Sequence, residues 1–188
     1  ESSIEKNYSR GNILGITPVY NIGGLIGTLR YSTLNNCYAW GNISGTIYDV
    51  YIGGLIGLSE QSSINNCYSI GAVHQCASFG GLIAVTNLNS VTMNSYWNIE
   101  TSGCSISAGG EGRTTDDMTY PLASNTYVDW DFTNIWVADL ETNYGYPYLN
   151  TSSPVNTVAE PTFSPVSGDY AEPISVTIQT ETPDVLIY

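Results

Sequence analysis

The sequence predicts an all-β fold: a right-handed parallel β-solenoid of three to four coils of about 30 residues, with an aromatic C-terminal cap. Three observations lead to this prediction. The chain is self-similar at a fixed period, its short apolar runs are separated by Gly and Asn, and only 11% of its 188 residues are charged. Each coil is expected to supply two or three strands that pair with the same strands of its neighbours.

The repeat shows when residues 2–31, 32–61 and 62–89 are aligned. A Gly-Gly pair precedes Leu-Ile in each window. Four tyrosines recur at intervals of 30, 30 and 28 residues: Tyr8, Tyr38, Tyr68 and Tyr96. A β-sandwich of hairpins is the alternative fold, but hairpins rarely repeat residue by residue at such a period.

Stacked coils bring equivalent residues together as ladders. Five predicted ladders are apolar: Ile4/Leu34/Ile64, Ile13/Ile43/Val73, Ile22/Ile52/Phe79, Leu25/Leu55/Leu82 and Ile26/Ile56/Ile83. Asn36, Asn66 and Asn94 predict an amide ladder at a turn, and the repeated glycines predict corners with positive φ or close backbone approach.

Two motifs carry a resemblance to a known family. Residues 53–57 (GGLIG) and 62–71 (SSINNCYSIG) resemble the GLUG motif repeats of large bacterial surface and secreted proteins. Residues 94–103, 112–118, 130–132, 135–136 and 145–149 resemble the usual end of such arrays, so that the resemblance covers about residues 1–150. It implies a parallel β-solenoid with an adhesion or scaffolding role and carries over no catalytic residues.

The predicted organisation has four parts. Residues 1–112 form the solenoid, and residues 113–150 form an aromatic cap that folds over the last coil and covers its open edge. Residues 151–162 are a linker rich in Pro, Ser and Thr. Residues 163–188 resemble the first half of the immunoglobulin-like domain at the C-terminus of chitobiases.

Composition restricts the function. A net charge of −13, from 17 acidic and four basic residues, argues against nucleic acid and anionic lipid as partners. No apolar run is long enough for a membrane helix. Low charge with abundant Gly and Tyr favours an extracellular or cell-surface protein.

Neither a catalytic nor a metal site is predicted. The single histidine, His74, lies in a variable loop. The acidic pairs are expected to be solvated, with a structural Ca²⁺ site or a polysaccharide-cleaving pair as alternatives: Asp116-Asp117, Asp129/Asp131 and Asp139/Glu141. No other cofactor is expected.

Cysteines and glycans supply the remaining candidates. A Cys76–Cys104 disulfide is predicted, whereas Cys37 and Cys67 share a rung and are expected to pack as apolar groups. Sequons predict N-glycosylation at Asn7, Asn42 and Asn150. The recurring tyrosines allow two interpretations: they form a structural ladder, or they belong to a sugar-stacking platform at Tyr38, Trp40 and Tyr68.

These observations favour a non-enzymatic extracellular structural module, part of a surface fibre, filament, stalk or adhesin built by end-to-end β edge pairing. Both ends of the chain fall within a structural unit, so the expected partners are further copies of the chain, as a filament subunit, or flanking domains of a longer chain. Glycans are a further expected partner. The alternatives are a carbohydrate-binding module of a larger secreted polysaccharide-active protein, or a polysaccharide-active enzyme.

Overall fold

The computed structural model describes residues 2–15, 20–45, 51–74, 78–151, 162–164 and 177–179. Contacts divide the chain into two compact units, Glu1–Asn150 and Thr151–Tyr188. The first unit is a parallel β-solenoid, which confirms the predicted all-β fold class.

Each coil contains short strands separated by turns. The first coil has β1 (Ser2–Glu5), β2 (Tyr8–Ser9), β3 (Ile13–Leu14), β4 (Asn21–Gly23) and β5 (Ile26–Arg30). The second has β6 (Ser32–Asn35), β7 (Tyr38–Ala39), β8 (Ile43–Ser44), β9 (Tyr51–Gly53) and β10 (Ile56–Glu60). The third has β11 (Ser63–Asn65), β12 (Tyr68–Ser69), β13 (Ser78–Gly80) and β14 (Ile83–Asn87). The first two coils therefore have five strands each, rather than the expected two or three. The strands are more numerous and shorter because Gly and Asn interrupt the apolar runs every few residues.

The chain continues with β15 (Val91–Met93), β16 (Tyr96–Asn98), helix α1 (Ile99–Ser102), β17 (Glu111–Arg113) and helix α2 (Thr115–Met118). A strand pair, β18 (Trp136–Val137) and β19 (Tyr148–Leu149), flanks a short 3₁₀ turn at Asn143–Gly145. Among the described residues, no helix has the length and apolar character needed to cross a bilayer.

The strands stack in register from coil to coil. The sheets run β1-β6-β11-β15, β2-β7-β12-β16-β17, β4-β9-β13, β5-β10-β14 and β3-β8, and every pair in them is parallel. All five predicted apolar ladders are confirmed by strand pairing or by backbone hydrogen bonds between rungs. The tyrosine ladder is confirmed as well, since Tyr38 pairs with both Tyr8 and Tyr68, and Tyr68 pairs with Tyr96.

The interior of the coils is a continuous apolar core. Leu34, Leu55, Ile64 and Leu82 are fully buried there. Cys37 and Cys67 belong to the same cluster as buried thiols, and each donates a hydrogen bond to a backbone oxygen two residues earlier, at 3.1 Å. Burial raises the pKa of Cys67, so this thiol stays protonated and packs as a small apolar group.

The predicted amide ladder is displaced by one residue. Asn36, Asn66 and Asn94 adopt left-handed backbone conformations, with φ of 53°, 52° and 46°. The hydrogen bond between side-chain amides joins instead the preceding asparagines, with Asn65 Nδ2 donating to Asn35 Oδ1 at 2.9 Å. Asparagine tolerates positive φ better than most residues, and this explains its presence at the turn.

The repeated glycines serve close approach rather than positive φ. A Cβ added at Gly41 would overlap the carbonyl oxygen of Gly11 on the coil below, and one at Gly71 would overlap that of Gly41. Stacked turns therefore need glycine because backbone lies directly against backbone.

Replacing Gly41 with Ala should destabilise the solenoid by about 1–3 kcal/mol, because the added methyl forces the first and second coils apart. Gly11→Ala is the matched control, since an added Cβ there meets no atom within 4 Å. Chemical denaturation of both variants measures the difference. Equal stabilities would show that the coils are not stacked at this turn.

The far side of the last coil is covered by the chain that follows it. Ser107 Oγ accepts hydrogen bonds from the backbone of Leu82 and Ile83, at 3.3 and 2.9 Å, and Ala108 N–H donates to the Ile83 carbonyl. β17 then adds to β16 as the outer strand of the tyrosine sheet. Residues 104–113 thus pack against the last coil through backbone and side-chain hydrogen bonds.

The unit Thr151–Tyr188 contains one antiparallel pair in its described part, β20 (Thr162–Ser164) with β21 (Thr177–Gln179). Phe163 pairs with Ile178 in its centre.

Candidate functional site

The aromatic segment, residues 114–150, lies along the tyrosine face of the coils. Its side chains reach the last coil, where Trp130 Nε1 donates to the Asn94 carbonyl at 2.8 Å, and also the earlier coils. Trp136 Nε1 donates to Asn36 Oδ1 at 3.2 Å, and Tyr68 donates through its hydroxyl to the Pro147 carbonyl at 2.6 Å. The indole ring of Trp136 lies 6.1 Å from the rings of both Tyr38 and Tyr68.

Asparagine side chains fix this segment at two points. Asn98 is fully buried, caps helix α1 through Oδ1 and donates from Nδ2 to the Tyr146 hydroxyl at 2.7 Å. Asn143 donates to the Tyr68 hydroxyl at 3.1 Å and accepts from Arg10 at 2.6 Å. The segment and the coils are therefore one packed body.

This packing buries the tyrosine ladder. Successive rings of Tyr8, Tyr38 and Tyr68 stack at 5.0 Å with 6° between their planes, but only Tyr8 is exposed, at 52%, against 2% for Tyr38 and 0% for Tyr68. Burial raises the pKa of Tyr68 well above that of a free tyrosine, so its hydroxyl remains a donor. Tyr38 and Tyr68 present no face to solvent, and the predicted sugar-stacking row is wrong for these two residues.

A groove of about 630 Å³ lies between the coils and the part of the aromatic segment that contains Tyr144 and Tyr146. Trp40, the third residue of the predicted row, lies in it half-buried. The groove is lined by residues of the first three coils, of helix α1 and of the 3₁₀ turn: Arg10, Asn12, Trp40, Asn42, Ile70, Thr101, Tyr144 and Tyr146.

Arg10 is the charged side chain of this groove. Its guanidinium lies 4.7 Å from the centre of the Trp40 ring, a cation–π contact between adjacent coils. The same group donates to Asn143 Oδ1. Arg10 is nevertheless exposed, and a guanidinium carries five N–H donors, more than its interactions with Asn143 and the Tyr38 hydroxyl use.

Asn12 and Asn42 form a second amide row on adjacent coils. Asn12 Oδ1 accepts from the backbone N–H of Asn42 at 2.9 Å, and Asn42 Oδ1 accepts from that of Ala72 at 3.0 Å. Each carbonyl thus ties its turn to the next coil, while neither Nδ2 has a hydrogen-bond partner among the residues that the structure describes.

Tyr144 is the most exposed aromatic side chain of the groove, at 81%. It lies in the middle of a left-handed turn, with φ 53° and ψ 33°, between Asn143 and Gly145, which also have positive φ. Its ring meets the edge of Trp40 at 5.5 Å and 85°. Sequence reasoning missed Tyr144 because it lies about a hundred residues from its coil neighbours; Arg10 and Asn12 carried a signal, since they align with Trp40 and Asn42 in the repeat.

The structure places the predicted sequons differently. Asn7 and Asn42 are exposed, and Asn150 is partly buried. Asn7 Nδ2 donates to the Glu5 carbonyl at 2.7 Å. Glycosylation stays a prediction at all three.

The predicted disulfide partner Cys76 lies outside the described residues. Cys104 is buried beside Trp97, whose Nε1 donates to its carbonyl at 3.0 Å. His74 is exposed, as expected for a loop residue.

The acidic residues of the aromatic segment bond locally. Hydrogen bonds from Asn134 and Thr133 hold the pKa of Asp131 below its usual value, and one from Tyr148 does the same for Asp139. Within the described residues, no three His, Cys, Asp or Glu side chains come together as a metal site would require.

The repeated geometry agrees with one comparison with known families. Residues 48–73 match the GLUG motif. The match begins before β9, runs through β10, β11 and β12, and ends at Val73, so one GLUG motif spans the end of one coil and the start of the next. The chain is therefore a repeat module that contains a GLUG motif. No curated protein and no solved structure matches it.

Proposed function

We propose that this chain is a non-enzymatic structural module of an extracellular, surface-attached assembly, and that coils of neighbouring copies add to its first coil by edge pairing. The GLUG motif, the low charge and the exposed sequons support the extracellular location. The proposal assigns no catalysis to the chain.

The observation that carries the proposal is the edge of the first coil. Rung by rung, it repeats the surface by which the second coil stacks on the first, since β1 and β2 are the equivalents of β6 and β7 one period earlier. Tyr38 and Trp40 donate their backbone N–H groups to the coil below, and Tyr8 and Arg10 hold the equivalent positions one period earlier. Their N–H groups therefore face away from the array, as does the exposed ring of Tyr8.

The opposite end offers a matching strand. β17 is the outer strand of the same tyrosine sheet, and it is parallel to β16. Joining β17 of one copy to β2 of the next is a head-to-tail contact that does not close, and such contacts build filaments. This arrangement extends the tyrosine sheet across subunits.

Replacing Tyr8 with Pro should abolish this association. The Tyr8 N–H lies on the side of β2 that would meet β17, because the equivalent Tyr38 donates its N–H to the Asn7 carbonyl of the coil below. Proline removes that donor and is tolerated on edge strands. Sedimentation velocity over a concentration series should show growing species for the unmodified chain and a monomer for Tyr8→Pro.

Tyr8→Ala is the control, because it removes the same ring but keeps the backbone donor and should still associate. Electron microscopy of the associated material should show uniform filaments. A chain that sediments as a monomer at every concentration, or a Tyr8→Pro variant that associates as well as Tyr8→Ala, contradicts the proposal.

A further inference from the structure

The groove beside Tyr144 is unused by edge pairing, since it opens at the side of the coils. We propose that it binds an acidic polysaccharide, with the carboxylate of a uronic acid unit at Arg10 and a sugar ring on Tyr144. This inference is independent of the proposed assembly.

The polar groups that line the groove are donors. Arg10 offers guanidinium N–H groups, and Asn12 and Asn42 offer their Nδ2 groups, which have no partner among the described residues. Each Oδ1 already accepts one backbone N–H group, which leaves it a single lone pair. The described polar groups of the groove therefore favour a ligand rich in acceptors.

Two hydroxyl groups also line the groove. Thr101 donates its hydroxyl proton to the Ile70 carbonyl at 2.5 Å, and the Tyr146 hydroxyl accepts from Asn98. A neutral sugar can bond to these groups, but it leaves the positive charge of Arg10 unpaired. A carboxylate is acceptor-only and matches the planar fork of a guanidinium.

Charge selects the ligand further. The chain carries a net charge of −13, yet the described lining residues of the groove include Arg10 and no carboxylate. The acidic neighbour of Thr101, Glu100, is engaged elsewhere, accepting from the Thr115 N–H at 2.9 Å. More distant acidic residues are screened at physiological ionic strength beyond about 8 Å.

Tyr144 supplies the apolar contact. One face of Trp40 is taken by the Arg10 guanidinium, whereas the Tyr144 ring is 81% exposed. The Tyr144 ring makes a T-shaped contact with Trp40, so the exposed part of the ring is available for a sugar to stack on.

The donors also repeat along the solenoid. Asn12 and Asn42 lie on adjacent coils, whose strands are about 4.8 Å apart, so that equivalent donors recur at that interval. A ligand that is itself a chain of similar units can contact both rungs. This favours a polymer over a single acidic sugar.

Isothermal titration calorimetry with an oligogalacturonate tests the proposal, using the full chain produced without N-glycosylation so that the Asn42 amide is unmodified. The chain should bind the oligogalacturonate, more weakly as NaCl is added, and bind a neutral maltooligosaccharide of equal length at least tenfold more weakly. Arg10→Gln and Tyr144→Ala should each lower the affinity at least tenfold.

Arg30→Gln is the matched control, because it removes the same charge from a residue paired with Glu60, away from the groove. It should leave the affinity unchanged. No binding of the oligogalacturonate, equal binding of the neutral chain, or an equal loss with Arg30→Gln would overturn the proposal. Stronger binding of a sulfated oligosaccharide would overturn the assignment to a carboxylate.

Discussion

Leu55→Asp should unfold the unit Glu1–Asn150. Leu55 is fully buried, and its backbone is hydrogen-bonded to Leu25 on one side and Leu82 on the other, so an aspartate there would lie between apolar rungs. A buried carboxylate without a partner is among the most costly substitutions, and we expect a loss of more than about 4 kcal/mol. Because domains are stable by only about 5–15 kcal/mol, most of the array's stability would be lost.

Thermal melting followed by circular dichroism measures this effect. Leu14→Asp introduces the same charge on a residue that is 70% exposed, and it should melt like the unmodified chain. An unchanged melting curve for Leu55→Asp would refute the buried position of this ladder and, with it, the stacking of the coils.

The ladders could be predicted from sequence because residues one period apart in a solenoid lie in contact on neighbouring coils. Residues such as Tyr38 and Tyr68, 30 positions apart, are brought together by the repeat alone. No long-range information is needed beyond the alignment of the windows. The same reasoning placed Cys37 and Cys67 in the interior.

The alignment of the repeats could not show which asparagine side chain of a turn joins the amide row. Asn35 and Asn36 differ by one position, but the left-handed conformation of Asn36 turns its amide to Trp136, and Asn35 takes the place in the amide row. Backbone conformation at a single residue thus reassigns a ladder that periodicity alone would place wrongly.

The aromatic segment lies outside the period, and its position depended on contacts with no sequence signal. Asn36 and Trp136 are a hundred residues apart. The apolar side chains of the segment indicate that it packs against another surface, but they do not show that most of this surface is the tyrosine face. Burial of Tyr68 is what the sugar-stacking prediction missed, and Tyr144 is an aromatic side chain beside that face that stays exposed.

Trp136→Ala should destabilise the unit by about 3–5 kcal/mol, the usual cost of truncating a large buried aromatic side chain. Trp136 is fully buried, with its ring 4.4 Å from that of Trp130 and 6.1 Å from those of Tyr38 and Tyr68. Removing the indole also deprives the buried Asn36 Oδ1 of its donor.

Limited proteolysis can show which part of the unit loses its structure in Trp136→Ala. Since Trp136 joins the aromatic segment to the coils, limited proteolysis of Trp136→Ala should cut within residues 114–150 first and leave the coils resistant. Phe132→Ala, which truncates a residue 38% exposed in the same segment, should cost much less and keep the protease pattern of the unmodified chain. If both variants are cut alike, the segment is not held by Trp136. If the coils are cut first, the tyrosine face depends on its cover for its own folding, and the two parts are a single cooperative unit.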